Sequence, residues 1–303
     1  MLQAGVSWVA NAELAAAVSN SGALGIIAPN AGMPLRGNIV ENLRAQIAKA
    51  KMLSNEPFGV HLPISAPSAN ELVDVIIGEE VPVVVTSAGN PAFYTSRFKD
   101  ADIKVLHVVT SVREARAAEA MGVDAVIAQG YEAIGLLGVD ELPALVLVPA
   151  VAEAVEIPIV ASGGIVDGRG LVTALALGAG GVHMGTRFIA TTECAAHAAF
   201  KEAIVKAVDS STVVAGHPKR PMRMLKGAVA TKLLVMRSQG ASEQKFTDFL
   251  GKDRVRAALL EGDLVKGEPI CGAGAGLISE VLPAGEVVRM IMKQAEEILA
   301  RLK

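Results

Sequence analysis

Glycines that directly follow two apolar runs are the residues of this chain best suited to binding an anion. The run Ile157–Ala161 is followed closely by Gly163 and Gly164, and the run Val182–Gly185 ends in a glycine that precedes Thr186. Without a Cβ, a glycine lets its backbone N–H approach an anion closely, and a threonine hydroxyl can add a further donor. The pattern predicts a phosphate site, the alternative being that Gly163 and Gly164 only form a tight turn.

Few other side chains are placed to do chemistry by themselves. His107 and His183 lie inside apolar runs, where a histidine is more often a hydrogen-bonded core residue than a catalyst. Cys194 has no His/Asn arrangement near it in the sequence, so we expect no nucleophilic role. Cys194 and His197 are two ligands at most, and we predict no metal site.

The elements that must position the glycines alternate regularly. Residues 2–7 contain the first predicted strand or its end, and segments 41–53, 111–122 and 170–179 have helical periodicity. Seven further short β-rich runs are found at Gly25–Ala28, Phe58–Leu62, Val81–Thr86, Val105–Val109, Ala125–Ala128, Ile157–Ala161 and Val182–Gly185. These runs lack polar/apolar alternation, which is typical of strands covered on both faces. The pattern predicts an α/β fold, a (β/α)8 TIM barrel, over roughly the first two hundred residues.

An open doubly wound sheet is the competing architecture. Its usual mark is a G-x-G-x-x-G turn after the first strand, and the first half of the chain has no such turn. In a barrel the two glycine segments follow strands 7 and 8, where such folds commonly bind phosphate. The position of the glycines therefore favours the barrel.

The chain changes character after about Lys206. Segments 222–240, 242–252 and 284–303 are helical in pattern, with no convincing strand between them. We expect residues 1–207 to form the barrel and residues 208–303 to form a helical extension packed on it. No long Ser- or Gly-rich linker separates the two parts, which favours an annex over an independent domain.

Composition excludes several classes of function. Of the 303 residues, 51% are hydrophobic, the formal net charge is −3, and there are two cysteines. No basic footprint for nucleic acid and no disulfide framework can be built from these numbers. The apolar N-terminus lacks a positive leader and no segment is long and apolar enough to span a bilayer, so we expect a cytoplasmic protein without a membrane partner.

Several segments resemble one known family in their order along the chain. They include "ASGGIVDGRGLVTALALGAGGVHMGTRF" (161–188), residues 2–27, 56–64 and 83–133, and the glycine-rich "CGAGAGLISEV" (271–281). Together they resemble the FMN-dependent nitronate monooxygenase (2-nitropropane dioxygenase) family, which also includes enoyl-acyl-carrier-protein reductase II. The resemblance implies an FMN in the barrel mouth, with segment 271–281 closing near the flavin.

The resemblance also implies which residues meet the cofactor. Gly89 and Asn90 match a loop that borders the pocket. The implied FMN contacts are Gln3, Ala4, Gly5, Gln129, Gly130, Ser162, Gly163, Gly164, Met184, Gly185 and Thr186. A flavin would carry the electrons, so few acids and bases need to line the site.

Two positions depart from the family pattern. The family loop Gly-x-Glu-x-x-Gly-His-x-Gly reads "GYEAIGLLG" (130–138), with Leu136 in place of a histidine that faces the flavin. The family asparagine after the third strand is replaced by His61. The resemblance makes His61 and Glu132 the candidate catalytic residues, with the alternatives that His61 only orders its loop and Glu132 only caps a turn.

Three functions remain open on this basis. The first is oxidation of alkyl nitronates with O2, a reaction that asks little of a base because the substrate is already deprotonated. The second is reduction of an enoyl-ACP or enoyl-CoA thioester, or of a quinone, with NADH or NADPH as co-substrate. The third is a flavin-binding protein with impaired catalysis. The apolar extension helices are compatible with a homodimer.

Overall fold

Eight parallel strands, each followed by helical or loop structure, build the first two thirds of the molecule. The computed structural model describes residues 1–251 and 253–302. The barrel strands are β1 (Leu2–Gln3), β2 (Gly25–Ile27), β3 (Phe58–Pro63), β4 (Val83–Ser87), β5 (Lys104–Val109), β6 (Ala125–Gln129), β8 (Ile159–Ser162) and β9 (Gly181–Met184). Their order in the sheet is β1-β9-β8-β6-β5-β4-β3-β2, so β1 and β2 are the two strands that must meet to close it.

The sheet closes at a short parallel contact between β1 and the start of β2. Leu2 forms an isolated parallel bridge with Leu24, and the N–H of Gln3 donates to the carbonyl of Leu24 at 2.9 Å. The Gln3 side chain extends this join, because its Oε1 accepts from the N–H of Ile26 at 2.9 Å and its Nε2 donates to the Ile26 carbonyl at 3.1 Å. The predicted TIM barrel is confirmed.

Helices cover the outside of the barrel. They are α1 (Ala12–Ser19), α2 (Ile39–Leu53), α3 (Ala69–Gly78), α4 (Thr95–Asp100), α5 (Val112–Ala120), α6 (Ala144–Ala152), α7 (Gly168–Ala176) and α8 (Thr186–Ile189). Side-chain caps begin several of them: Asn38 accepts from the N–H groups of Val40 and Glu41 at the start of α2, and Asp167 begins α7 in the same way.

Alternation along the strands separates two apolar layers. Alternate side chains point into the barrel and form a small cluster, here called the apolar plug, made of Leu2, Leu24, Ile26, Val85, Leu106, Val108, Ile127 and Val160. The remaining strand side chains pack outward against the helices in the main core. Most side chains on both faces of the strands are therefore apolar, which explains why the sequence shows continuous apolar runs.

The C-terminal extension contains strands that the sequence analysis did not expect. β10 (Thr212–Ala215) and β11 (Met222–Leu225) pair antiparallel, and β11 pairs with β7 (Gly135–Leu136) from the loop after β6. The prediction of a helical segment from residue 222 is therefore wrong for its first turn. Helix α9 (Ala198–Val205) precedes the extension, whose helices are α10 (Ala228–Ser238), α11 (Glu243–Leu250), α12 (Arg254–Leu260) and α13 (Ala284–Leu302).

Helix α13 attaches the end of the described chain to the barrel. It packs against α7 and α1. Its buried residues Val287, Val288, Ile291 and Ala295 recur every three or four positions, as an amphipathic helix requires. Among the described residues, no helix is both long enough and apolar enough to cross a membrane.

Candidate active site

Polar side chains form a layer directly above the apolar plug, at the C-terminal ends of the barrel strands. His61 and Ser87 lie at the ends of β3 and β4, and Gln129, Ser162 and His183 lie at the ends of β6, β8 and β9. The plug closes the barrel interior beneath them. A ligand that enters the mouth therefore meets polar groups at a fixed depth, as is usual for this fold.

A large cavity of about 760 Å3 opens above this layer. Its walls come from the segment after β1, the loop after β4, the loop that contains β7, and the extension, which contributes Met222, Val255 and Ile270. This volume lies within the range of small-molecule and cofactor sites. The predicted pocket residues Ala4, Gly5, Gly89 and Asn90 line it.

A second, smaller pocket of about 40 Å3 lies beside the cavity, between the ends of β8 and β9. The predicted anion-binding residues line it: Ser162, Gly163, Gly164, Met184, Gly185 and Thr186, together with Gly272 and Gly274 of the extension. Gly163 and Gly164 have φ angles of +108° and +71°, which side chains with a Cβ rarely adopt. Glycine is therefore the residue that adopts this backbone conformation without strain at both positions.

The small pocket offers donors that have no acceptor. Within residues 1–251 and 253–302, nothing accepts a hydrogen bond from the backbone N–H groups of Gly163, Gly164, Gly185 or Thr186. Backbone N–H groups in folded proteins are almost always paired with protein, water or ligand. Four such donors around one pocket match the requirements of a phosphate group.

The two pockets share a wall, and a buried histidine stands in it. Ala4, Gln129, Ile134 and His183 line both the cavity and the small pocket. The Nδ1 of His183 lies 3.2 Å from the Ser162 hydroxyl, and its Nε2 is buried without a partner among the described residues. Burial, with a smaller contribution from the His61 ring, lowers the pKa of His183 to about 3, so the ring is neutral. An elongated ligand that spans both pockets would pass this nitrogen.

His61 is held at both ring nitrogens. Its Nδ1 lies 2.9 Å from the Gly5 carbonyl, which can only accept, so Nδ1 carries the proton. Its Nε2, 2.8 Å from the Ser87 Oγ, therefore accepts from that hydroxyl. Burial lowers the pKa of His61 below its ordinary value, with the Gly5 hydrogen bond acting in the opposite direction. The neutral ring fixes the Ser87 hydroxyl in the cavity wall.

The loop after β6 is tied across the mouth by the extension. Leu136, where the family has histidine, pairs with Met222, and its carbonyl accepts from Gln129 Nε2 at 2.8 Å. Arg223 donates from Nη2 to the Tyr131 carbonyl at 2.9 Å and lies over the Tyr131 ring. The Leu136 side chain lines the cavity and is 40% exposed, so an apolar group stands in the position that the family gives to an acid or base.

Two sequence-predicted residues line neither pocket, and a third lines one of them while it is bonded to a helix start. Gln3 is fully buried and lines neither pocket, because its amide closes the barrel between β1 and β2. Gly130 also lines neither pocket; a Cβ there would lie 2.4 Å from the Ala144 nitrogen, so its role is close packing against α6. Glu132 lines the small pocket, but both carboxylate oxygens accept from the Ala144 N–H, as a helix cap does.

The extension also reaches the small pocket. The N–H of Gly272 donates to Thr186 Oγ1 at 2.9 Å, and the N–H of Ala273 donates to the Glu132 carbonyl at 2.8 Å. Segment 271–281 thus covers the glycine pair, as its glycine-rich sequence suggested. Gly272 and Gly274 also line the small pocket and Ser87 lines the cavity; none of the three was predicted from the sequence, although the repeated glycines and the end of β4 were available signals.

The cysteines and the acidic residues support no metal or thiolate chemistry. Burial raises the pKa of Cys194 to about 11 and that of Cys271 to about 12, so neither is a thiolate near neutral pH. Across the described part of the chain, no group of three or more His, Cys, Asp or Glu residues is arranged to hold a metal ion.

Comparisons with known proteins agree with this geometry. The nitronate monooxygenase family model matches residues 1–75 and 70–294. The structure of FabK from Thermotoga maritima superposes with a TM-score of 0.92 at 40% identity, covering 99% of this chain and 94% of that one. A Staphylococcus aureus protein described as "Probable nitronate monooxygenase" is 33% identical over 71% of each chain.

A further relative has a different described activity. The Mycobacterium tuberculosis (3aS,4S,5R,7aS)-5-hydroxy-7a-methyl-1-oxo-octahydro-1H-indene-4-carboxyl-CoA dehydrogenase is 36% identical over 77% of this chain, and the match spans 64% of that relative's length. The relatives are oxidoreductases of differing substrate. This chain belongs to the nitronate monooxygenase family and is an oxidoreductase of that family.

Proposed function

We propose that the chain binds FMN across the two pockets. The observation that carries this is the small pocket of unpaired N–H donors directly adjoining a large cavity. A phosphate would occupy the former and a flat ring the latter, with the connecting chain beside His183. When bound, FMN would supply electron and hydride transfer, chemistry that no protein side chain provides.

The residues of the site divide the remaining tasks. Gly163, Gly164 and Gly185 hold the phosphate by backbone N–H groups, and Gln129 and Ala4 border the passage between the pockets. We assign His61 a positioning role, because both its ring nitrogens are already bonded. It holds Ser87, whose hydroxyl oxygen is then available to a polar group of the substrate.

For the substrate, we favour an enoyl thioester reduced at the expense of NADH or NADPH. A small nitronate beside a flavin ring does not need a cavity of about 760 Å3 that continues to the extension. The rim contributes two exposed apolar side chains, Leu136 and Val139, which suit an acyl chain. The relative that acts on a carboxyl-CoA compound supports the same class.

Nitronate oxidation is the second candidate, and Leu136 favours it. A nitronate arrives deprotonated, so the loss of a histidine at this position removes nothing that the reaction requires. Thioester reduction must place a proton on carbon, and since Leu136 cannot provide it, water in the open cavity would be the source in the favoured reaction.

Anaerobic mixing of the FMN-loaded protein with single reductants separates the candidates. We expect NADH or NADPH to bleach the flavin absorbance, and a 2-enoyl thioester added next to restore it. Bleaching by propyl-2-nitronate with no response to either nicotinamide would assign the second candidate instead. A purified protein that neither contains nor takes up FMN would overturn the proposal as a whole.

A further inference from the structure

The cavity does not end at the barrel mouth. It continues over the ends of β4 and β5 into a lobe between Asn90–Pro91 and helix α5, where Arg113 and Ala117 of the helix and Met121 at its C-cap line it. Each of these residues is four positions from the next, so all three lie on the same face. At 1.5 Å per residue they mark a groove about 12 Å long, and none of the three lines the small glycine pocket.

The inner wall of the lobe carries a buried histidine with a free nitrogen. His107 is 5% exposed, and alternation along β5 directs it to the outer face of the barrel, while Leu106 and Val108 face the plug. Thr86 Oγ1 lies 2.8 Å from His107 Nδ1 and 3.2 Å from the Leu106 carbonyl. Both bonds form together only if Thr86 donates to the carbonyl and accepts from Nδ1–H. His107 Nε2 is then a neutral acceptor without a partner among the described residues.

The outer wall carries an unpaired cation. No carboxylate or carbonyl in the described part of the chain lies within hydrogen-bond or ion-pair distance of the Arg113 guanidinium. The neighbouring Glu114 also lines the cavity, and its carboxylate is held by Thr110, whose N–H and hydroxyl donate to Oε2 at 2.6 and 2.9 Å. The groove thus offers one free positive charge beside an apolar strip formed by Ala117, Met121 and Pro91.

We propose that this groove, lined by Pro91, His107, Arg113, Ala117 and Met121, binds the adenosine-phosphate end of a nucleotide substrate whose reactive end lies in the main cavity. This inference rests on the proposed function only in placing the reactive end of the substrate in the main cavity. A purine is flat and apolar on its faces, which matches the strip formed by Pro91 and Met121. Its exocyclic amine can donate to His107 Nε2, and its phosphates can pair with Arg113.

Two sources share this chemistry, the nicotinamide dinucleotides and coenzyme A. Three fragments distinguish them: ADP for NADH, 2′,5′-ADP for NADPH, and 3′,5′-ADP for coenzyme A. Binding of each to the FMN-loaded protein can be measured by titration calorimetry and by ligand-observed NMR, which detects weak complexes. We expect at least one fragment to bind and to shift the Nε2 resonance of His107, one of only five histidines in the chain.

Matched variants on one helix test the role of the groove. Arg113→Glu should weaken the bound fragment at least about tenfold, as expected for the loss of a charge-assisted hydrogen bond, roughly 1.5–3 kcal/mol. Arg116→Glu makes the same charge change three residues on, outside the cavity wall, and should change affinity less than about threefold. FMN affinity should be unaltered in both.

If both variants weaken fragment binding equally, the effect comes from long-range charge, and the proposed binding groove is overturned. Failure of all three fragments to bind protein that still holds FMN would overturn the inference while leaving the proposed function standing. Failure to bind FMN would remove the proposed function instead, and fragment binding would still report on the groove.

Discussion

At the scale of single residues, the site depends on backbone groups more than on side chains. The paired glycines at 163 and 164 could be identified from the sequence because their positions after an apolar run demand bare backbone. The tautomer of His61 and the free nitrogen of His107 could not, because their partners Gly5, Ser87 and Thr86 are brought to them only by the closed barrel.

Gly164→Asp should abolish high-affinity FMN binding. The new Cβ would lie 3.3 Å from the Glu132 Cβ, and its carboxylate would repel a phosphate in the small pocket. We expect affinity to fall at least about a hundredfold, measured by flavin fluorescence titration. Gly22→Asp is the matched control: it has a φ of +83° and no atom within 4 Å of a Cβ, so it adds the backbone strain without touching the site. Unchanged FMN affinity in Gly164→Asp would place the phosphate elsewhere.

His61→Asn distinguishes a positioning role from proton transfer. Because the neutral ring is bonded at both nitrogens, we expect asparagine, the family's residue, to preserve kcat within about tenfold and to leave its pH profile unchanged. Loss of a general acid or base costs about 10²–10⁴-fold. A loss of that size, with a shifted pH profile, would show that His61 transfers protons.

At the scale of elements, the strands were predictable and their long-range partners were not. Apolar runs identify the barrel strands because both of their faces are buried. The segment Met222–Leu225 has no such run, and its partner at Gly135–Leu136 lies far away in the sequence, so local periodicity could not reveal the pairing. The same limit concealed how the extension holds the loop after β6 over the mouth.

Strand β1, only two residues long, depends on the Gln3 side chain for its contact with β2. Gln3→Leu would remove both hydrogen bonds to Ile26 and leave a buried N–H and a buried carbonyl unpaired. We expect the free energy of unfolding to fall by about 3 kcal/mol, measured by urea denaturation.

Gln46→Leu is the comparison for that measurement. Gln46 also bonds backbone on both sides, to Ala12 and Ala31, but it lies partly exposed on α2, where water can replace it. The Gln46→Leu substitution should therefore lower the free energy of unfolding by about 1 kcal/mol or less. Equal losses in the two variants would contradict the closure role of Gln3.

At the scale of the whole molecule, a buried carboxyl group in the extension makes stability depend on pH. Glu268, in the extension, has an unpartnered buried Oε1, and burial raises its pKa to about 7, with Arg254 opposing. The folded state therefore binds a proton that the unfolded chain releases near pH 4.5. This group's contribution to stability is present below that pH and is lost as the pH rises towards 7.

The Glu268→Gln substitution should remove this loss of stability at rising pH, because glutamine does not titrate. Urea unfolding at several pH values is expected to show the variant gaining on the wild type between about pH 4.5 and 7, by about 3 kcal/mol at most. Since other titrating groups are common to both proteins, the difference isolates Glu268. A constant difference across this range would show that the carboxyl titrates normally.

The proposed function requires a phosphate in the small glycine pocket and a flavin ring in the cavity beside it. Equilibrium titration of the cofactor-free protein with FMN and with riboflavin tests this most directly, because the two ligands differ only in the phosphate. We predict that FMN binds at least about a hundredfold more tightly, since several backbone N–H groups would bond the charged phosphate. Equal affinity for the two ligands, or no affinity for either, would contradict the account.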